Sequence, residues 1–144
     1  HLVISRNPAK EPTAQLASLK ERTWHAGGST WRGTGNVNAK SIGLDLDNVG
    51  WLRNVSGTIR DSYGNAYKGP APFVDAKGGL WEPYTDESIT ELLRVISILV
   101  EAFPILRTEA DRVVGHENIM STKSDPGPCF PWELVRRTVK GEKV

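Results

Sequence analysis

Residues 85–103 leave a chain of this size few ways to fold. Ile89, Leu92, Leu93, Ile96, Leu99, Val100 and Phe103 recur at three- and four-residue spacing, the apolar stripe of a helix with one buried face. Thr85 is placed to cap its N-terminus, Asp86 and Glu87 sit in the first turn, and Pro104 stops it. A stripe that wide must be covered by a sheet or by a second helix. His1-Leu2-Val3-Ile4-Ser5 reads as a buried strand. Residues 41–48 alternate apolar and polar, which puts Asp45 and Asp47 on one outer face. A short terminal helix is expected from Trp132, after Pro131. Strands interleaved with helices predict an α/β fold: a central mixed β-sheet flanked by helices, with residues 1–144 forming a single domain.

The connections are less regular. Residues 13–20 suit either a strand or a short helix. Residues 23–33 combine Gly27, Gly28 and Gly33 with Trp24, His25 and Trp31, the composition of an irregular loop lining a concave surface. Residues 49–81 are punctuated by Gly and Pro and read as an elaborated connection, with a β-hairpin expected near 58–67.

Composition excludes several classes of partner. The formal net charge of +1 provides no basic field for nucleic acid or an anionic membrane. No apolar run reaches the roughly 18 residues of a membrane span. The single cysteine, Cys129, has no internal disulfide partner and favours a reducing, cytoplasmic setting. Export stays open, because the chain starts on a strand already under way with no Met, and a preceding segment is expected.

The chemistry concentrates in residues 113–132. Val113-Val114-Gly115 has the pattern of a buried strand ending at a tight backbone position, and His116 follows where the chain would open into a loop. Nine residues later Asp125 stands before Pro126-Gly127-Pro128, a turn that pins its backbone. An imidazole and a carboxylate on rigid backbone suit a first-row metal such as zinc. Lys123 brings a positive charge close to the same point. These are two ligands; Cys129 is an alternative donor, otherwise a small buried apolar residue.

Four separated motifs then agree with one family: Thr23-Trp24-His25-Ala26-Gly27 with Ser29 and Trp31; Asn38 with Ser41-Ile42-Gly43-Leu44-Asp45-Leu46; Tyr84-Thr85; and Gly115-His116 with Lys123-Ser124-Asp125-Pro126-Gly127-Pro128. In order and spacing the chain resembles the zinc-dependent N-acetylmuramoyl-L-alanine amidases, the class that includes phage lysozyme-type amidases and peptidoglycan recognition proteins. The resemblance implies hydrolysis of the amide between N-acetylmuramic acid and L-alanine in peptidoglycan or muropeptides. It implies Zn2+ held by His116, Asp125 and a further His upstream of His1, so that the domain lacks its N-terminal segment. It implies Asp45 as the general base, where the family usually has Glu, and Lys123 as the group that stabilises the oxyanion. Trp24, His25, Trp31 and Asn38 would form the substrate wall, with His1 near the pocket but not on the metal. The rival expectation is a non-catalytic module that binds peptidoglycan without cutting it.

Overall fold

The computed structural model describes residues 1–143. Its central sheet is small and mixed. Strand β1 (Leu2–Ile4) pairs antiparallel with β2 (Ala14–Gln15), Leu2 opposite Gln15. A short hairpin, β3 (Thr30–Trp31) and β4 (Thr34–Gly35), follows before β5 (Leu44–Leu46). Strand β5 lies parallel to β1, with Leu2 opposite Leu44 and Ile4 opposite Leu46, which gives the order β2-β1-β5. The expected 13–20 element reduces to β2 and a run of turns.

Residues 49–82 build a second sheet rather than a plain connection. Strand β6 (Trp51–Val55) turns at Ser56–Gly57 into β7 (Thr58–Arg60). Strands β8 (Phe73–Val74) and β9 (Leu80–Trp81) then complete an antiparallel ribbon in the order β7-β6-β9-β8. The hairpin expected near 58–67 survives as one bridge between Arg60 and Ala66, while the main hairpin is the β6–β7 pair.

Helix α1 (Asp86–Ala102) begins where the sequence predicts, with Thr85 accepting a hydrogen bond from the Ser88 amide. Its buried face is Leu92, Val95, Ile96 and Val100, whereas Phe103, the last residue of the expected stripe, is 38% exposed beyond the helix end. A single turn, α2 (Ile105–Thr108), leads on, and α3 (Trp132–Lys140) closes the chain over α1. Leu2 and Ile4 of β1, the α1 face, and Val135 and Val139 of α3 form one core. Each such side chain contributes about 1.5–3 kcal/mol on full burial. Among the described residues no helix is long and apolar enough to cross a membrane.

The strand expected at Val113-Val114-Gly115 does not form. Val113 is extended, with φ −92° and ψ 108°, but a neighbouring strand does not take up its carbonyl. Arg136 of α3 reaches across instead, and its Nη1 donates to Val113 O at 2.8 Å and to Ala110 O at 2.6 Å. A guanidinium thus satisfies the backbone that a sheet would otherwise have paired.

Candidate active site

Backbone bonds hold His116 and Asp125 together before their side chains meet. His116 opens a 3-10 turn, His116–Asn118, and the next amide, Glu117 N, donates to Asp125 O at 3.0 Å. Tyr84 Oη donates to Pro126 O at 2.8 Å, which ties the loop after Asp125 to the chain entering α1. The Gly115 position is closed to a side chain, since a Cβ there would stand 2.6 Å from Pro126 Cδ. On this frame His116 Nδ1 lies 3.1 Å from Asp125 Oδ2. Asp125 is open to solvent, while the His116 ring is mostly covered and its Nε2 is buried without a hydrogen-bond partner. The Glu117 carboxyl beside them is pushed up by burial and by the charge of Asp125.

The pair fits a divalent cation as two of its ligands. Nitrogen and oxygen donors bound at about 2.0–2.1 Å around one tetrahedral ion lie about 3.3 Å apart, close to the observed separation. Among the described residues no group of three or more His, Cys, Asp and Glu side chains could hold a metal. A catalytic zinc site takes three protein ligands, so this pair alone would not close one among the described residues. Cys129, the alternative donor, directs its Sγ toward Glu82 O at 3.4 Å, and burial pushes its thiol up.

The wall beside this pair is a hydrogen-bonded chain of two imidazoles and two hydroxyls. His1, 5% exposed, faces Glu21 O with Nε2 at 2.8 Å, so that nitrogen carries the proton. Its Nδ1 accepts from the Gly43 amide and from Thr23 Oγ1, both at 2.9 Å. Having given its proton to His1, Thr23 Oγ1 accepts from His25 Nδ1 at 2.8 Å. His25 Nε2 then meets Ser41 Oγ at 2.8 Å, and Ser41 Oγ also lies 2.7 Å from Val37 O. A neutral His25 accepts a hydrogen bond from the Ser41 hydroxyl, whereas a protonated ring donates to Ser41 Oγ, whose hydroxyl then donates to Val37 O. Burial lowers the His25 pKa, and the hydrogen bond to the Thr23 carbonyl opposes it.

The remaining expected site residues fall into different settings. Asp45, at the centre of β5, is exposed on the face opposite Leu44 and Leu46. Lys123 is exposed on the loop before Asp125, and among the described residues it forms no ion pair. Trp24 is 81% exposed, with the Arg22 guanidinium 4.2 Å from its ring centroid. Trp31 is covered by Arg32 at 4.3 Å and Arg112 at 5.5 Å, and Arg32 pairs in turn with Glu109 and Asp111. Asn38, expected as a substrate contact, is engaged with the backbone. It is 3% exposed, its Oδ1 accepts from the His25 and Ala26 amides at 3.0 and 2.7 Å, and its Nδ2 donates to Gly27 O at 3.0 Å. Asn38 stands behind the wall and holds its backbone.

Sequence reasoning missed Thr23, Ser41 and the Arg6–Glu82 pair. Hydroxyls carry no distinctive signal, but a carboxylate directly after Leu80-Trp81 was a visible one. Glu82, 4% exposed, pairs with Arg6 Nη1 at 2.6 Å and accepts from the Val49 amide at 2.6 Å, joining the ribbon to the end of β1.

The architecture defines the class. A mixed β2-β1-β5 sheet under α1 and α3 is a fold shared with solved muramyl amidases. The chain aligns with the structure of Escherichia coli AmiD in complex with anhydro-N-acetylmuramic acid-L-Ala-D-γ-Glu-L-Lys at a TM-score of 0.70 and 26% identity, covering 100% of this chain and 48% of that one. It aligns with an AmpD crystal structure at 0.64 and 26% identity, covering 96% and 57%. In sequence it is 32% identical over 122 residues to N-acetylmuramoyl-L-alanine amidase AmiD of E. coli K12, 84% of this chain and 36% of that protein. It is 26% identical over 141 residues to 1,6-anhydro-N-acetylmuramyl-L-alanine amidase AmpD of Haemophilus influenzae, 97% and 58%. The family profile for N-acetylmuramoyl-L-alanine amidase matches residues 1–128, and the chain belongs to that family. It spans between about a third and three-fifths of the length of these curated relatives.

Proposed function

We propose that this chain is the catalytic unit of an N-acetylmuramoyl-L-alanine amidase, hydrolysing the amide that joins the lactyl group of N-acetylmuramic acid to L-alanine. The observation that carries the reading is the 3.1 Å approach of His116 Nδ1 to Asp125 Oδ2, within a chain whose family and fold are those of such amidases. Zinc is the metal of the reading, held by His116, Asp125 and a third donor outside the described residues; when bound, it supplies a polarised carbonyl and an acidified water. Asp45 takes a proton from the attacking water and returns it to the departing L-alanine nitrogen, one carboxylate acting as base and then as acid. Lys123 offsets the negative charge that grows on the carbonyl oxygen. His25, held by Thr23 and Ser41, presents a fixed edge to the stem peptide beside Trp24.

The test is turnover of a muropeptide by the chain with zinc, with chelator, and after Asp125→Ala. Release of the stem peptide that is lost in both latter conditions supports the reading. Binding of peptidoglycan with no release at any zinc concentration would instead establish a recognition module.

A further inference from the structure

The ribbon turns Leu52 and Glu82 inward, and its other face carries a pattern that folding does not require. Trp51 stands directly opposite Trp81, and Trp81 directly opposite Phe73. Directly paired residues share a face, so three aromatic side chains form a row across three adjacent strands, about 10 Å long at the usual strand spacing. Trp51 and Phe73 are 42% and 40% exposed, although large apolar groups gathered on a surface are costly without a use. Trp81 is fixed between them: its Nε1 donates to Asp75 Oδ2 at 2.9 Å, and its ring packs on the backbone of Gly127. With φ at +82° and a ring atom 2.9 Å from where a Cβ would stand, position 127 accepts only glycine. The row thus abuts the loop that carries Asp125.

The same face bears an electrostatic anomaly. Arg53, two residues along β6 from Trp51, lies directly opposite Arg60 of β7. Like charges in that position destabilise a strand pair. Among the described residues neither forms an ion pair; Arg60 Nη1 donates to Gly64 O at 2.7 Å, and Arg53 lies 6.0 Å from the Trp51 ring centroid.

We propose that this face binds the polymeric peptidoglycan strand. Sugar rings stack their C–H faces on Trp51, Trp81 and Phe73, and stem-peptide carboxylates bridge Arg53 and Arg60. An anion between the guanidiniums removes their repulsion and is held by charge-assisted bonds. A row of three aromatic rings serves a ligand with successive sugars, so the face selects polymer over soluble fragments. The inference takes its ligand from the amidase reading and narrows it.

The experiment is co-sedimentation of the chain with purified insoluble peptidoglycan in chelator, where cleavage plays no part. The double variants Trp51→Ala/Phe73→Ala and Arg53→Gln/Arg60→Gln are expected to weaken sedimentation about tenfold or more. Val74→Ser, 58% exposed on the opposite face, should leave it unchanged. Thermal melts establish that each variant is folded, and if the Trp51 change impairs folding, Phe73→Ala alone carries the test. Wild-type sedimentation by both double variants, or an equal loss in Val74→Ser, overturns the proposal. Parallel digestion with zinc restored separates the two readings. A chain that sediments through this face yet releases no stem peptide defeats the amidase reading alone; release with sedimentation indifferent to all four substitutions defeats the face alone.

Discussion

The His25 ring lies on the backbone of Gly43, so close that a β-carbon there would overlap His25 Cγ. The Gly43 amide also donates to His1 Nδ1, so one residue packs against one imidazole and positions the other. Gly43→Ala is expected to expel the His25 ring and break its bonds to Thr23 and Ser41. Overpacking of this kind costs about 1–3 kcal/mol, readable as a lower urea midpoint. Amide cleavage should fall with it, and an unchanged midpoint would show that the ring is free to move aside.

In the proposed mechanism Asp45 and Asp125 separate chemistry from metal retention. Asp45→Asn keeps shape and hydrogen bonding but removes the base, so turnover should drop by about 10²–10⁴-fold while zinc content stays at the wild-type level. Asp125→Ala should lower both together. Chromatographic release of stem peptide, read beside metal analysis of the same samples, distinguishes the two patterns.

Glu82 is the joint between ribbon and sheet. Glu82→Gln leaves Arg6 without its counter-charge in a site where the carboxylate side chain is 5% exposed and the Arg6 side chain 27%. The expected loss is about 2–3 kcal/mol, measured by urea unfolding. Arg6→Gln should cost a similar amount, and the double variant less than the sum.

Stability should depend on pH at both ends. Hydrogen bonds from Arg94 hold the Glu91 carboxyl down to about 2, against an ordinary 4.5. As pH falls the unfolded chain takes the proton first, so this contribution is complete above about 4.5 and is lost on the way to 2. Burial lowers His25 from 6.5, so stability also declines as pH drops below that value. Burial, then the Glu82 charge, pushes Tyr67 up to about 12 from 10. There the unfolded phenol ionises first, and stability falls as pH rises between those values. Glu91→Gln should flatten the acid limb of the melting profile and leave the alkaline limb as it was.

What was legible in the sequence was local. Thr85 and Pro104 bound α1 through their own backbone chemistry, and His116 and Asp125, nine residues apart, meet where Glu117 N bonds to Asp125 O. What stayed hidden depends on distant partners. Val113 and Val114 have the composition of a strand, yet the donor to Val113 O arrives from Arg136 in α3. Asn38 and Trp24 were both expected on the substrate wall, but one lies beneath the loop and the other on it. Residue type does not distinguish the two positions. Register is likewise a property of pairs: Trp51, Trp81 and Phe73 align only once β6, β9 and β8 are set side by side.

The loop at residues 25–27 and the hairpin carrying Trp31 are fastened by different means. Asn38 secures residues 25–27 with neutral, buried hydrogen bonds, which dissolved electrolyte hardly touches. The hairpin carrying Trp31 is moored to residues 109–112 by Arg32, Glu109, Asp111 and Arg112, charges that face water and feel the ionic atmosphere over about 8 Å at physiological strength. Added salt is therefore expected to weaken the tie on the Trp31 hairpin while leaving the bonds behind residues 25–27 as they are.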